Sequence, residues 1–170
     1  MNYKRLFIPN SLIFVTVVTK HRKPILIENI KFLKEAFILT KHKFYFEIIA
    51  IIVNKDHFHM IIKTNEITSY PKIIGTIKRF FTKISGIKHS QNKNNESDIW
   101  QRRYWEHTIV DEEDLNKHLD YIHYNSVKHY GIAPKDWQFS SFKKFVKLGV
   151  YENSWCNFDD KYQISDMDLE

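Results

Sequence analysis

The stretch Phe44-Tyr-Phe-Glu-Ile-Ile-Ala-Ile-Ile-Val53, Asn54-Lys-Asp56, His57-Phe-His-Met-Ile-Ile62 decides the fold. The run from Phe44 to Val53 is crowded with β-branched and aromatic residues and reads as a strand. Asn54-Lys55-Asp56 supplies a polar turn, and His57 to Ile62 forms the next strand. A connection this short permits only an antiparallel hairpin. Side chains alternate along a strand, so His57 and His59 project from one side and Phe58 from the other.

Working outward, Leu12 to Thr19 is a second β-branched run and predicts a largely buried strand. Between the two lies a segment from Glu28 to Lys41 with Ile30, Leu33 and Phe37 at helical spacing. After the hairpin, Pro71 opens a helix predicted to run to Ser85, a first-turn position that suits proline. Its apolar face holds Ile73, Ile74, Ile77, Phe80, Phe81 and Ile84. Residues 87–98 are polar and asparagine-rich and read as a mobile loop. A strand pattern returns from Ile99 to Val110. Asp111-Glu-Glu-Asp114 then starts a helix with acids where its dipole favours them. That helix extends to His129, with Gly131 as its stop.

The order strand, helix, strand, strand, helix, strand, helix predicts an α+β fold. It is a ferredoxin-like, RRM-like split βαβ sandwich, a central four-stranded antiparallel sheet with helices packed on one face. A short last helix, Ser140 to Leu148, is expected at the sheet edge. Residues 1–155 read as one domain and 156–170 as an acidic, loosely ordered tail.

Charge narrows the partner. Of 26 basic and 20 acidic side chains, 25 and 14 fall within residues 1–150, which therefore carry +11. Such a surface attracts polyanions, although a basic surface is also compatible with plain solubility. Aromatic residues reach 15%, enough to fill a core and still offer rings for stacking on unpaired bases. The single cysteine, Cys156, excludes a disulfide framework and a cysteine-based zinc site. The run Leu12 to Val18 is too short to span a bilayer, so no membrane association and a cytoplasmic location are expected.

The histidine pair could ligate a divalent ion through neutral imidazoles, with Asp56 or Asn125 completing or orienting the shell. Read alone, the pair fits equally well as two half-buried histidines satisfied by backbone or water. Leu115, Leu119 and Ile122 form the predicted buried stripe of the 111–129 helix. At about 100° per residue, Tyr121 and Asn125 fall on its flank, with His118 and Lys128. Tyr121 there is either a nucleophile or a boundary aromatic covering the sheet. A tyrosine nucleophile suits phosphodiesters, since attack conserves the bond energy as a phosphotyrosine, and a bound Mg²⁺ or Mn²⁺ would neutralise the phosphate. Histidine ligands favour Mn²⁺ of the two. Arg102 and Arg103 can grip phosphates and Trp105 can stack on a base. Alternatively, Trp100 and Trp105 are core residues; at least one is expected there. Lys78 and Arg79 could extend the backbone-binding surface or simply be solvated.

Several blocks together carry a resemblance. Asp56-His-Phe-His59 resembles the His-hydrophobic-His motif of the HUH endonucleases. Trp100-Gln-Arg-Arg-Tyr-Trp-Glu-His107, Tyr121-Ile-His-Tyr-Asn-Ser-Val-Lys128 and Asp136-Trp-Gln-Phe-Ser-Ser141 are similar to the REP-associated tyrosine transposases. The resemblance runs from about Tyr3 to Trp155. It implies cleavage of single-stranded DNA at the foot of a hairpin, through a 5′-phosphotyrosine and a free 3′-hydroxyl, followed by strand transfer. By motif position Tyr121 would be the nucleophile, and His57, His59 and Asn125 the metal ligands. Arg102, Arg103, Trp105, Lys128, Lys78 and Arg79 are the candidate DNA contacts, and a monomer is expected. The usual Asn-Pro-Val is here Asn125-Ser126-Val127, which should loosen the end of the tyrosine helix. The competing function is a module that holds DNA or RNA hairpins without cutting them.

Overall fold

The computed structural model describes residues 10–65, 69–93 and 97–156. Four strands, β1 (Leu12–Val18), β2 (Phe46–Val53), β3 (His57–Thr64) and β4 (Trp105–Thr108), form one antiparallel sheet in the order β2-β3-β1-β4. Helices α1 (Ile30–Lys43) and α2 (Tyr70–Ile84) complete the expected split βαβ unit on one face. Helix α3 (Glu112–Tyr130) and the short α4 (Phe142–Lys147) close the other.

Both faces are buried, which explains why β2 and β3 read as continuous apolar runs instead of alternating ones. Ile13, Val15, Val17, Phe58, Met60 and Ile62 face α1 and α2, whereas Phe14, Ala50, Ile52 and Ile61 face α3. A bulge in β2 between Ile48 and Ala50 resets the alternation, so that Ile48 and Ile51 share a face. The expected strand over 99–110 contracts to Trp105–Thr108. Upstream of it, Trp100 makes a single bridge to Thr19 and turns into the α2-side core. There its indole N–H donates to the Lys78 carbonyl at 3.2 Å. The Lys78 ammonium in turn donates to the Gln101 carbonyl at 2.7 Å, so Arg102 and Arg103 are held outside the sheet and exposed.

α3 is built as the sequence predicts. Asp111 accepts from the Asp114 amide at 2.8 Å, three acids occupy the first turn, and Gly131 ends the helix at φ 65°. Ser140 and Ser141 cover the otherwise open edge of β2, with the Ser141 amide bonded to the Ile51 carbonyl at 2.8 Å. The last helix thus sits at the edge, as expected. The acidic tail lies, from residue 157 on, outside the described residues, as do 94–96 of the polar loop.

The α3-side core encloses a titratable ring on the side covered by α4. His123 is 1% exposed, ringed by Phe142, Phe145 and Tyr151, with Nε2 3.0 Å from the Ser141 hydroxyl. Burial pushes its pKa down from 6.5 to about 3. The folded state therefore keeps this ring neutral, while the unfolded chain protonates it below pH 6.5. Its stabilising contribution is complete above pH 6.5 and is lost as pH falls towards 3. Urea unfolding at pH 6, 5 and 4 should show the wild type losing about 1.4 kcal/mol more per pH unit than His123→Phe. Parallel slopes for the two proteins would rule out a neutral buried ring.

Candidate active site and metal centre

Strand β3 and helix α3 bring four of the predicted residues together. His57, His59, Tyr121 and Asn125 are each no more than 2% exposed. The His57 and His59 rings lie 4.8 Å apart, and the Tyr121 ring is 5.1 Å from His59. Tyr121, Asn125 and His118, expected on the flank of α3, lie fully within its buried arc. The reason is that the sheet closes over this flank: Phe14 packs on Tyr121 and His118, His59 on Tyr121, and Asn54 bonds Asn125, while α4 and Tyr151 cover the opposite flank at His123. Leu115, expected in the stripe, is only half-buried.

The imidazoles are held by their outer nitrogens. His57 Nδ1 bonds Asp56 Oδ1 at 2.6 Å, and Asp56 accepts from Arg22 through its other oxygen at 3.2 Å. Burial opposes ionisation of Asp56, but the bonds and charges of His57 and Arg22 outweigh it and hold the carboxyl below the usual carboxylate range. His59 Nδ1 bonds the Thr16 hydroxyl at 2.8 Å, a partner set by the register that places Thr16 opposite His59. Engaging each Nδ1 fixes both rings and directs each Nε2 towards α3, the arrangement by which metal-ligating histidines are oriented.

The amides complete the set. Asn54, fully buried, donates to Asn125 Oδ1, and the same nitrogen lies 2.9 Å from His57 Nε2. Asn54 Oδ1 and Asn125 Nδ2 are buried without hydrogen-bond partners, so the spare acceptor beside the imidazoles is on Asn54, and Asn125 Oδ1 would exchange the Asn54 amide for an ion. Two neutral imidazoles and an amide oxygen suit a borderline divalent ion, and the donors fit the metal that the sequence anticipates.

Around this centre the other predicted residues divide. The Lys128 ammonium sits 5.3 Å from the Tyr121 ring centroid. Trp105, 37% exposed, reaches the site through Phe14, whose ring is 5.6 Å from Trp105 and 6.0 Å from Tyr121. Lys78, Arg79 and Arg102 instead line a basic cleft with Lys20 and Lys83 beside α2. Arg103 is exposed and joins neither group.

Three features escape a reading of the sequence. Asn54 looks like a turn residue, but its amide N–H bonds the His57 carbonyl at 2.8 Å and its side chain turns inward. His129 packs edge-on against His57 at 5.0 Å, two turns after Tyr121; its spacing from Asn125 is the available signal. Ser126 does not loosen the helix end. It is fully buried and its hydroxyl donates to the Ile132 carbonyl at 2.9 Å, tying the chain beyond Gly131 back onto α3.

A second donor group lies beyond Phe14. His107 on β4 and Asp114 and His118 on α3 each place a ligand atom within 4.8 Å of the others, so they too could hold a metal. His107 Nε2 bonds Asp114 Oδ2 at 2.7 Å.

Comparison with known proteins gives the family. The family model for IS200-like transposases matches residues 9–125. A putative REP-associated tyrosine transposase of Haemophilus influenzae is 39% identical, over 91% of this chain and 92% of its own. A REP-associated tyrosine transposase of Escherichia coli is 34% identical, over 91% and 90%. Among solved structures, a REP-associated tyrosine transposase bound to a REP hairpin superposes with a TM-score of 0.81 at 33% identity, covering 92% of both chains. No helix among the described residues is long and apolar enough to cross a membrane. The chain belongs to the IS200-like transposase family and is, with its REP-associated tyrosine relatives, a DNA-cleaving and strand-transferring enzyme.

Proposed function

We propose that this transposase cuts single-stranded DNA beside a hairpin, with Tyr121 as nucleophile and His57, His59 and Asn125 holding a divalent ion, Mg²⁺ or Mn²⁺. The observation that carries the reading is the convergence of Tyr121 with the two imidazoles, 5.1 Å from one and on the same sheet face as both. The relative solved with a REP hairpin supports hairpin DNA as the partner.

In this reading the phenol oxygen of Tyr121 attacks the scissile phosphorus in line. The tyrosyl–phosphate bond forms as the bond to the 3′-oxygen breaks; the phenol gives up its proton to solvent and the leaving oxygen takes one up, leaving a 5′-phosphotyrosine and a 3′-hydroxyl. The metal, when bound, polarises a non-bridging phosphate oxygen. Asp56 and Thr16 keep the two rings in register with that phosphate. Lys128, beside the phenol, offers a positive charge to the developing pentacoordinate centre. Trp105 presents an exposed ring for a base flanking the cut, and Arg102, Arg103, Lys78 and Arg79 contact phosphates farther along the strand. The protein acts as a monomer in the cytoplasm, on DNA of the nucleoid.

Incubation with Mn²⁺ and a hairpin bearing a single-stranded flank should give a covalent protein–DNA adduct on a denaturing gel. Tyr121→Phe should abolish the adduct while leaving hairpin binding within about twofold. Cleavage that persists in Tyr121→Phe would point to water as nucleophile, and binding without cleavage in the wild type to a hairpin-holding module.

The orienting bonds give a separate expectation. Asp56→Asn removes the charge that fixes His57 and should weaken Mn²⁺ binding by about 10- to 100-fold in a calorimetric titration.

The two tryptophans should part company. Trp105→Ala is expected to cost about 1–3 kcal/mol of single-strand affinity by fluorescence anisotropy with little change in unfolding. Trp100→Ala, emptying a core position, should cost about 3–5 kcal/mol of stability in urea.

A further inference from the structure

A second cluster of metal-ligating side chains lies outside the tyrosine site, separated from it by Phe14. His107 and His118 stack nearly parallel at 4.8 Å, and the His118 ring is 4.7 Å from Phe14. Asp114 stands between the two imidazoles: Oδ2 is 2.7 Å from His107 Nε2, and Oδ1 is 3.0 Å from His118 Nδ1.

Three observations go beyond a plain hydrogen-bonded cluster. One ligand atom from each residue lies within 4.8 Å of the other two; the Asp114 carboxylate meets His118 at Nδ1, so it must swing towards Nε2 to enclose an ion. His118 is 3% exposed, and its Nδ1 bonds the Asp114 carbonyl at 2.8 Å, which fixes the tautomer and leaves the lone pair on Nε2. That Nε2 is buried without a hydrogen-bond partner. An imidazole whose one nitrogen is tied to a backbone carbonyl while the other is buried and unmet is oriented as metal-binding histidines are. His107, about one-third exposed, leaves an entry path from solvent.

We propose that His107, Asp114 and His118 form a second, structural metal site for a zinc-like ion, distinct from the centre at His57 and His59. Two imidazoles and one carboxylate make three of the four positions of a tetrahedral site, and water takes the fourth. The donor set disfavours Mg²⁺, which prefers an octahedron of oxygens. Binding replaces the hydrogen bond between His107 Nε2 and Asp114, and the hydrogen on that nitrogen moves to Nδ1 or to solvent. The ion would staple β4 to the first turns of α3, one helical turn before Tyr121. It would thus hold the nucleophile's helix at a fixed distance from the strand that carries Trp105.

The test uses the full chain, with Zn²⁺ alone as the probe. Calorimetric titration of the wild type should give two Zn²⁺ per protein. The double variant His57→Ala/His59→Ala should keep one, and Zn²⁺ should still raise its melting temperature. Adding His107→Phe, at a position exposed enough to tolerate the change, should weaken that remaining site by at least tenfold, and His118→Leu should do the same. Circular dichroism confirms that each variant is folded. If the double variant does not fold, a wild-type stoichiometry of two that falls to one in His107→Phe supports the second site equally well. One Zn²⁺ per wild-type protein, lost with the His57/His59 pair, would overturn the proposal, as would a second site indifferent to both His107→Phe and His118→Leu. Adduct formation by Tyr121 does not enter this readout, so the two proposals stand or fall separately.

Discussion

The packing of α3 across the sheet face that carries His57 and His59 is the constraint on which the molecule depends. One arc of that helix supplies both core and chemistry. Leu119 and Ile122 seal the sheet, while Tyr121 and Asn125, interleaved with them, meet the histidines. A helix repeats its face every 3.6 residues and a strand every two, so helical i,i+4 and strand i,i+2 pairs can match over only a few positions. Here they match at Tyr121 and Asn125 against His57 and His59. A slip of one residue in the β1–β3 register would move Thr16 from His59 and send both histidines to the other face.

This coupling sets how much is legible in the sequence. The hairpin, the α+β order and both ends of α3 follow from local rules: a polar turn between apolar runs, acids at an N-terminus, glycine at a stop. The histidine pair and Tyr121 are legible as motifs. What local rules do not contain is the partner across space. Nothing in the sequence near Thr16 marks it as the hydroxyl that orients His59, because the pairing is made 43 residues away. Asn54 looks like any turn asparagine until the hairpin turns it towards α3. The flank position expected for Tyr121 fails for a related reason: the rings that close over it, Phe14 and His59, come from β1 and β3, and a helical wheel does not contain them.

The strand predicted over 99–110 shows the same limit from another side. Its pattern of aromatics is real, but two different surfaces compete for them. Trp100 is claimed by the α2-side core and by the Lys78 carbonyl, and Trp105 by the edge of β1. The chain between must leave the sheet to satisfy both, which places Arg102 and Arg103 in solvent. The Lys78 ammonium, proposed as a phosphate contact, is the group that fastens the carbonyls of that crossing. Serine at 126 follows the same logic: a residue that lacks proline's rigidity supplies a hydroxyl that ties the helix end from outside.

Burial of Tyr121 bears on how a phosphate can reach it. At 2% exposure the side chain is part of the core, and in the proposed role of nucleophile it would have to be uncovered to react. Its neighbours differ greatly in what their movement costs. Displacing Phe14 or Ile122 would open the apolar layer between sheet and helix, at a cost of about 1.5–3 kcal/mol for each large side chain exposed. Lys128 is exposed at its head, flexible along its stem and drawn to anions, and it lies over the ring. Of these neighbours, the Lys128 ammonium is the one that an approaching phosphate would engage under the proposed function.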